Sequence, residues 1–194
     1  MTLDSRFCHP NYLICKQFFK LMGGTFRVFD PAGQLVLFAD MKAFKLKEDI
    51  RLYTEEEKTN EIINIKARHL IDISAAYDVV DSTTGEKIGA LKRMGLKSML
   101  KDEWVVMDAL DQEIGRISED SWLLALVRRY VTNLIPQKYH CEAKGNEVCT
   151  FQQNFNPFVI KLAVDLKPAA DGLLDRRLIL AAGIMLCAVE GKQG

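Results

Sequence analysis

The stretch Leu178-Ile-Leu-Ala-Ala-Gly183-Ile-Met-Leu-Cys-Ala-Val189, near the end of the chain, decides how everything before it is read. It is apolar on every side, so a helix built from it has no polar face to turn toward water. Only a bilayer or the middle of a protein core suits such a helix. A spanning helix needs about twenty apolar residues, and this run is shorter, with Arg176 and Arg177 at its head and Glu190 behind it. The core reading is the better one. It places a helix over residues 171–190 and demands a wall around it.

Upstream, a repeated unit supplies that wall: an alternating strand, a polar turn and a second alternating strand. The first copy is Phe26-Arg-Val-Phe-Asp30-Pro-Ala-Gly33-Gln-Leu-Val-Leu37. Further copies run over residues 50–65, with the acidic turn Glu55-Glu56-Glu57, and over residues 77–91 and 104–117. A weaker fifth copy spans residues 138–151. Asp30, Asp81 and Asp108 each end a first strand, where a carboxylate can bind the amides of its turn, while Gly33, Gly85 and Gly145 supply positive φ. Calcium binding is a poor reading of these aspartates, because each sits at its own hairpin tip.

Residues 11–15, 41–47 and 67–73 also read as extended. That gives about ten to twelve strands, more than an open twisted sheet holds without curling or splitting. Closure removes exposed edges, so a barrel or a sandwich is expected. A second helix is read over residues 118–130, with Ser118, Glu119 and Asp120 in its opening turn and Arg128 and Arg129 near its end.

Bulk properties narrow the class. With 48% apolar residues the 194-residue chain can fill one core, and residues 1–194 read as a single domain. Its 26 basic and 26 acidic residues cancel, which removes the footprint of a nucleic-acid binder. Cys8, Cys15, Cys141, Cys149 and Cys187 are odd in number and irregular in spacing, unlike a disulfide framework. No signal peptide is read at the start. A cytoplasmic protein without a transmembrane segment is expected, peripheral at a membrane if it meets one.

The order of these motifs resembles a known family. Phe26-x-Val-x-Asp30-Pro-x-Gly33, then Met41-Lys-Ala-Phe44-Lys-Leu-Lys-Glu-Asp-Ile50-Arg-Leu-Tyr53, then the late apolar helix, is similar to the tubby C-terminal-like superfamily. The branch it most resembles is the LURF-one-related family, with phospholipid scramblases as cousins. Glu113-Ile-Gly115-Arg-Ile-Ser-Glu-Asp-Ser-Trp122 resembles the scramblase segment that closes a hairpin and leads to a Trp. The resemblance covers residues 12–189. It implies a mainly β fold, a closed antiparallel barrel of about twelve strands around a central C-terminal helix. The proline-rich tail and acylation-type cysteine cluster of scramblases are missing, and residues 162–168 do not reproduce their acidic segment. No phosphoinositide-binding residue of tubby proteins can be carried over to a position here.

Chemistry-bearing sets are sparse. Cys8, His9, His140, Cys141 and Cys149 would make a zinc site only if the first strand met the fifth hairpin, and they lack the tight ligand pairs such sites use. Cys15 with His9 or His69 would be a nucleophile and base only if folding joined them. Phosphate-loop, dinucleotide and nucleophile-elbow motifs are missing. No catalytic residue, metal or cofactor is assigned. The most suggestive surface feature is Lys92-Arg93-Met94-Gly-Leu96-Lys97-Ser-Met99-Leu100-Lys101, a connector in which cations alternate with apolar residues. Lys92, Arg93, Lys97 and Lys101 are the candidate contacts to anionic phospholipid headgroups. The sequence thus leads to a non-enzymatic binding module for such lipids or for a protein partner. A scramblase-like membrane protein and an enzyme with an unrecognised pocket are the alternatives.

Overall fold

The structure of the chain, a computed structural model, describes residues 3–19, 23–41, 49–68, 76–94, 103–120, 137–154 and 159–190. Twelve strands among them form one closed antiparallel barrel in which each strand pairs with its sequence neighbours and β1 pairs with β12. They are β1 Asn11–Phe19, β2 Gly23–Phe29, β3 Leu35–Met41, β4 Ile50–Tyr53, β5 Glu61–Ala67, β6 Ala76–Asp81, β7 Lys87–Arg93, β8 Glu103–Met107, β9 Glu113–Glu119, β10 Lys138–Ala143, β11 Asn146–Asn154 and β12 Val159–Leu166. All five hairpins read from the sequence are present.

A barrel of about eight strands can be filled by the side chains of its own wall, and a wider one cannot. Here helix α1, Arg176–Glu190, fills the axis. Every residue from Leu178 to Ala188 is buried, with Leu180 and Ile184 wholly so. The side chain of Val189 lies outside the described residues. Two glycines let the helix approach the wall. A Cβ at Gly183 would stand 2.6 Å from Cδ1 of Ile14 on β1, and one at Gly89 of β7 would stand 2.9 Å from Cδ1 of Leu178. Inward residues such as Ile14, Phe26, Leu52, Ile63, Val79, Leu91 and Phe151 complete one core with α1. Outward positions carry Arg27, Arg51, Asp78, Lys87, Arg116 and His140, most of them in ion pairs. A membrane-spanning barrel shows the reverse, apolar outside and polar inside. No described helix is long and apolar enough to cross a membrane.

The helix runs parallel to β1. Arg176 donates to the carbonyls of Phe7 and His9, at the start of β1, while Lys16 near its end donates to carbonyls late in α1. The barrel ends therefore differ. At the end where α1 begins lie the hairpin turns 30–34, 54–60, 82–86, 108–112 and 144–145. The strands meet connections 42–49, 68–75, 94–102 and 120–137 at the other end.

The turn aspartates act as their positions imply. Asp30 Oδ1 accepts from the amide of Gln34 at 2.8 Å, and Asp81 Oδ1 from that of Thr83 at 2.8 Å. Asp108 Oδ1 takes the amides of Leu110 and Gln112 at 2.8 and 2.9 Å. Gly33 and Gly85 both have φ of +77°. In the acidic turn, Glu55 accepts the amides of Thr59 and Asn60, and Glu56 is held by Arg27. These carboxylates are engaged rather than merely solvated.

Some boundaries differ from the sequence reading. Helix α1 starts at Arg176, because Lys167-Pro168 opens a short 3₁₀ turn, Pro168–Ala170, and Asp175 accepts the amide of Arg177 as an N-cap does. Residues 162–168, where the acidic segment of scramblases is not reproduced, mostly belong to β12, the strand that closes the barrel against β1. Ser118 and Glu119 are not the start of a helix but the last residues of β9, paired with β10; most of the expected helix, residues 121–130, lies outside the described residues. The extended reading of residues 41–47 and 67–73 holds at Met41 in β3 and Ala67 in β5, and residues 42–47 and 69–73 lie outside them.

Candidate functional site

The inner face changes character toward the end of the barrel where α1 terminates. Strand alternation points Lys16 of β1 inward with Tyr12 and Ile14, and it is 0% exposed. Its Nζ donates to the carbonyls of Cys187 at 2.7 Å and Ala188 at 3.3 Å, two of the last four carbonyls of the helix, which have no partner within it. The ammonium also stands 5.5 Å from the centre of the Phe26 ring. A cation at this terminus meets the negative end of the helix dipole.

Arg93 follows Gly89 and Leu91 on the inner face of β7, opposite Trp104 of β8. The Trp104 and Tyr77 rings lie 6.2 Å apart, and burial pushes the Tyr77 hydroxyl up while the charge of Arg93 pulls it back. Glu119, 4% exposed, extends the inner row of Ile117 on β9 and sits opposite Tyr139 of β10. The rim thus combines Lys16, Arg93 and Glu119 with the aromatic residues Phe26, Tyr77, Trp104 and Tyr139. Its sequence signal is a charged residue at an inward position of an otherwise apolar strand. That signal is readable only once strand ends and register are known, and sequence reasoning missed Lys16 and Glu119.

The two lipid-contact candidates among the described residues do not share a face. Residues 92–93 were read as the start of a connector, but β7 continues through Arg93. A two-residue strand period sends Lys92 and Arg93 to opposite faces. Lys92 stands outside in the row of Ala90 and Met94, which pack with Val105 and Met107, and Arg93 belongs to the inner rim. Lys97 and Lys101 lie outside the described residues.

The zinc candidates do not come together. Cys141 and Cys149 face inward, while His140 faces out and is held between Asp120 at Nε2 and Glu147 at Nδ1. Carboxylates on opposite ring nitrogens cannot share one ion with the histidine. Cys8 and His9 precede β1, which β12 separates from β11, and there His9 packs edge-on against Tyr12 and approaches Asp30 at 3.9 Å. Cys15 is on the outer face of β1, away from His9, and His69 lies outside the described residues.

No protein-family model matches the chain, and no curated protein matches it by sequence. Among solved structures, an X-ray structure of a protein from Arabidopsis thaliana shares the fold, with a TM-score of 0.52 over 98% of both chains and 14% sequence identity.

Proposed function

We propose that this protein is a non-enzymatic, tubby-like barrel that binds anionic phospholipid headgroups from outside its core. The observation that supports this reading most is the helix in the barrel axis. Barrels that work on small molecules keep a cavity or mouth for them, whereas here Leu178 to Ala188 occupy that volume as packed core. Binding then falls to the outer wall and the rim. Lys92 projects outward at the end of β7, and Lys97 and Lys101 follow it in the chain.

Each cation near an anionic surface contributes about 1 kcal/mol, screened by salt. Co-sedimentation with phosphatidylcholine vesicles, with and without phosphatidylserine or a phosphoinositide, tests the proposal. The expected result is binding to the anionic vesicles only, falling as salt rises. The triple change K92E/K97E/K101E should weaken it by about a hundredfold or more, on about 1 kcal/mol per cation. Equal recovery with neutral and anionic vesicles, or none with either, would overturn it.

A further inference from the structure

We infer that Cys141 and Cys149 form a redox-sensitive pair, able to close into a cross-strand disulfide when a small disulfide reaches them. They are directly opposite on adjacent antiparallel strands β10 and β11. Opposite residues have Cα atoms about 4.5–5.5 Å apart, inside the roughly 4.4–6.8 Å that a disulfide spans. Their side chains necessarily leave the sheet on the same face, and that face is the interior: the two residues are 1% and 0% exposed. Both are free thiols. Among the described residues no other two cysteines are ladder partners. Cys8 precedes β1, Cys15 faces outward and Cys187 is on α1.

The pair is protected as well as aligned. Burial pushes the Cys141 thiol up to about 12, with Glu142 adding to it, and the Cys149 thiol higher still, with Cys141 opposing its charge. The closed barrel therefore holds them unreactive, and reaction waits for the wall to part. A place for that is adjacent: the β10–β11 register shifts between Cys141 and Glu142, and a bulge interrupts the ladder locally.

The chemistry balances with oxidised glutathione as the oxidant. One thiol loses its proton and attacks the glutathione disulfide, forming a mixed disulfide and releasing one glutathione thiolate. The second cysteine thiolate attacks the protein sulfur of that mixed disulfide and expels the second glutathione. Two protein thiols are oxidised to one disulfide, and one glutathione disulfide is reduced to two thiols.

Wild-type protein is the sample, so the test does not depend on a variant folding. Native protein is incubated with oxidised glutathione, quenched in acid, unfolded, alkylated and mapped by mass. Cys141 and Cys149 should lose their label together and appear in one cross-linked species that dithiothreitol opens. Urea below the unfolding transition should speed the loss several-fold, whereas labelling of exposed Cys8 should not change. Cys141→Ser or Cys149→Ser should prevent the link and Cys8→Ser should leave it. Full label on both residues after prolonged incubation in sub-denaturing urea would overturn the inference. So would a mixed disulfide that stops at one of them, or a link from either to another cysteine.

Discussion

Replacing Gly89 by alanine puts a methyl group where the barrel wall and the axial helix already touch. The new Cβ would lie 2.3 Å from the main-chain oxygen of Met107 and 2.9 and 3.1 Å from the two terminal carbons of Leu178. Leu178 is a flexible side chain and can turn aside. The Met107 carbonyl cannot, because β8 is laddered to β7 through Ala90 and to β9 through Glu113. Small-to-large changes in a packed core cost about 1–3 kcal/mol, and loosening one ladder hydrogen bond adds about 1 kcal/mol. Alanine recovers about 0.4–1 kcal/mol by restricting the unfolded chain. The expected net loss is about 2–3 kcal/mol, a large part of the roughly 5–15 kcal/mol that holds a domain folded.

Guanidinium unfolding followed by tryptophan fluorescence reads this loss as a lower midpoint at unchanged slope. Gly33→Ala is the control, because its Cβ would meet nothing within 4 Å and only its φ of +77° opposes the change. Its cost should be about 1 kcal/mol. Combining Gly89→Ala with Leu178→Ala should cost less than the sum of the two, since one of the two clashes is then relieved. A Gly89→Ala protein as stable as wild type, or strict additivity of the pair, would show that α1 does not press on β7, and the axial-helix geometry would be wrong.

Leu180→Asp places a carboxylate in the centre of the core, at a residue with 0% exposure. An unpaired buried charge there exceeds what the domain can bear, so no folded protein should be recovered without denaturant; a native near-ultraviolet circular dichroism spectrum would sink the core-helix reading. Asp108→Ala removes the acceptor for two turn amides and should cost about 1–2 kcal/mol, seen as a fall in Tm of about 2–8 °C. Burial pulls the Asp78 carboxyl up, but hydrogen bonds from Arg68 and Lys87 outweigh it and hold the group below the usual range. A carboxyl depressed in the folded state stabilises it above the unfolded value, near pH 4, and that share disappears as pH falls through the folded value. Asp78→Asn should therefore lower Tm at neutral pH and flatten its decline below about pH 4. An unchanged pH profile would show that the Arg68–Asp78–Lys87 cluster contributes nothing.

The fold was legible because two periodicities agree. Alternation in the hairpins and an all-apolar run of helical length can coexist only if one encloses the other, and Asp or Gly at four of the five tips marks where the strands reverse. What stayed hidden depends on register or on competition between overlapping signals. Ser118-Glu-Asp looks like a helix start, yet Ser118 and Glu119 gain ladder partners on β10 and extend β9 instead. Residues 159–166 alternate weakly, and β12 is defined by what it joins, β1 on one side and β11 on the other. The rim was the least legible part. Lys16 stands between Cys15 and Gln17 in a strand with no other charge, and nothing local says that its ammonium reaches carbonyls of residues 187 and 188. In the basic segment at residues 92–101 the cations are plain in the sequence, yet the strand period sends Lys92 and Arg93 to opposite faces.

The charges at the two ends of α1 explain why the ends of the barrel are not equivalent. At its head, Arg177 binds Asp175 and also Asp81 of the β6–β7 turn at 2.6 Å, while Arg176 binds Asp171 and the chain before β1. The positive end of the helix dipole is thus met by carboxylates that also fix the tight turns. At its tail, the negative end is met by Lys16 from inside the wall. Reversing the helix in the same barrel would turn its negative end toward Asp81 and its positive end toward Lys16, and would part Arg177 from Asp81. The chain itself starts α1 at the head end, because β12 ends there at Leu166 and only residues 167–175 intervene, and the charges agree with that direction. Strands β7 and β9 then end, and β8 and β10 begin, at the tail end. The inward charges Lys16, Arg93 and Glu119 gather at that same end, where α1 terminates.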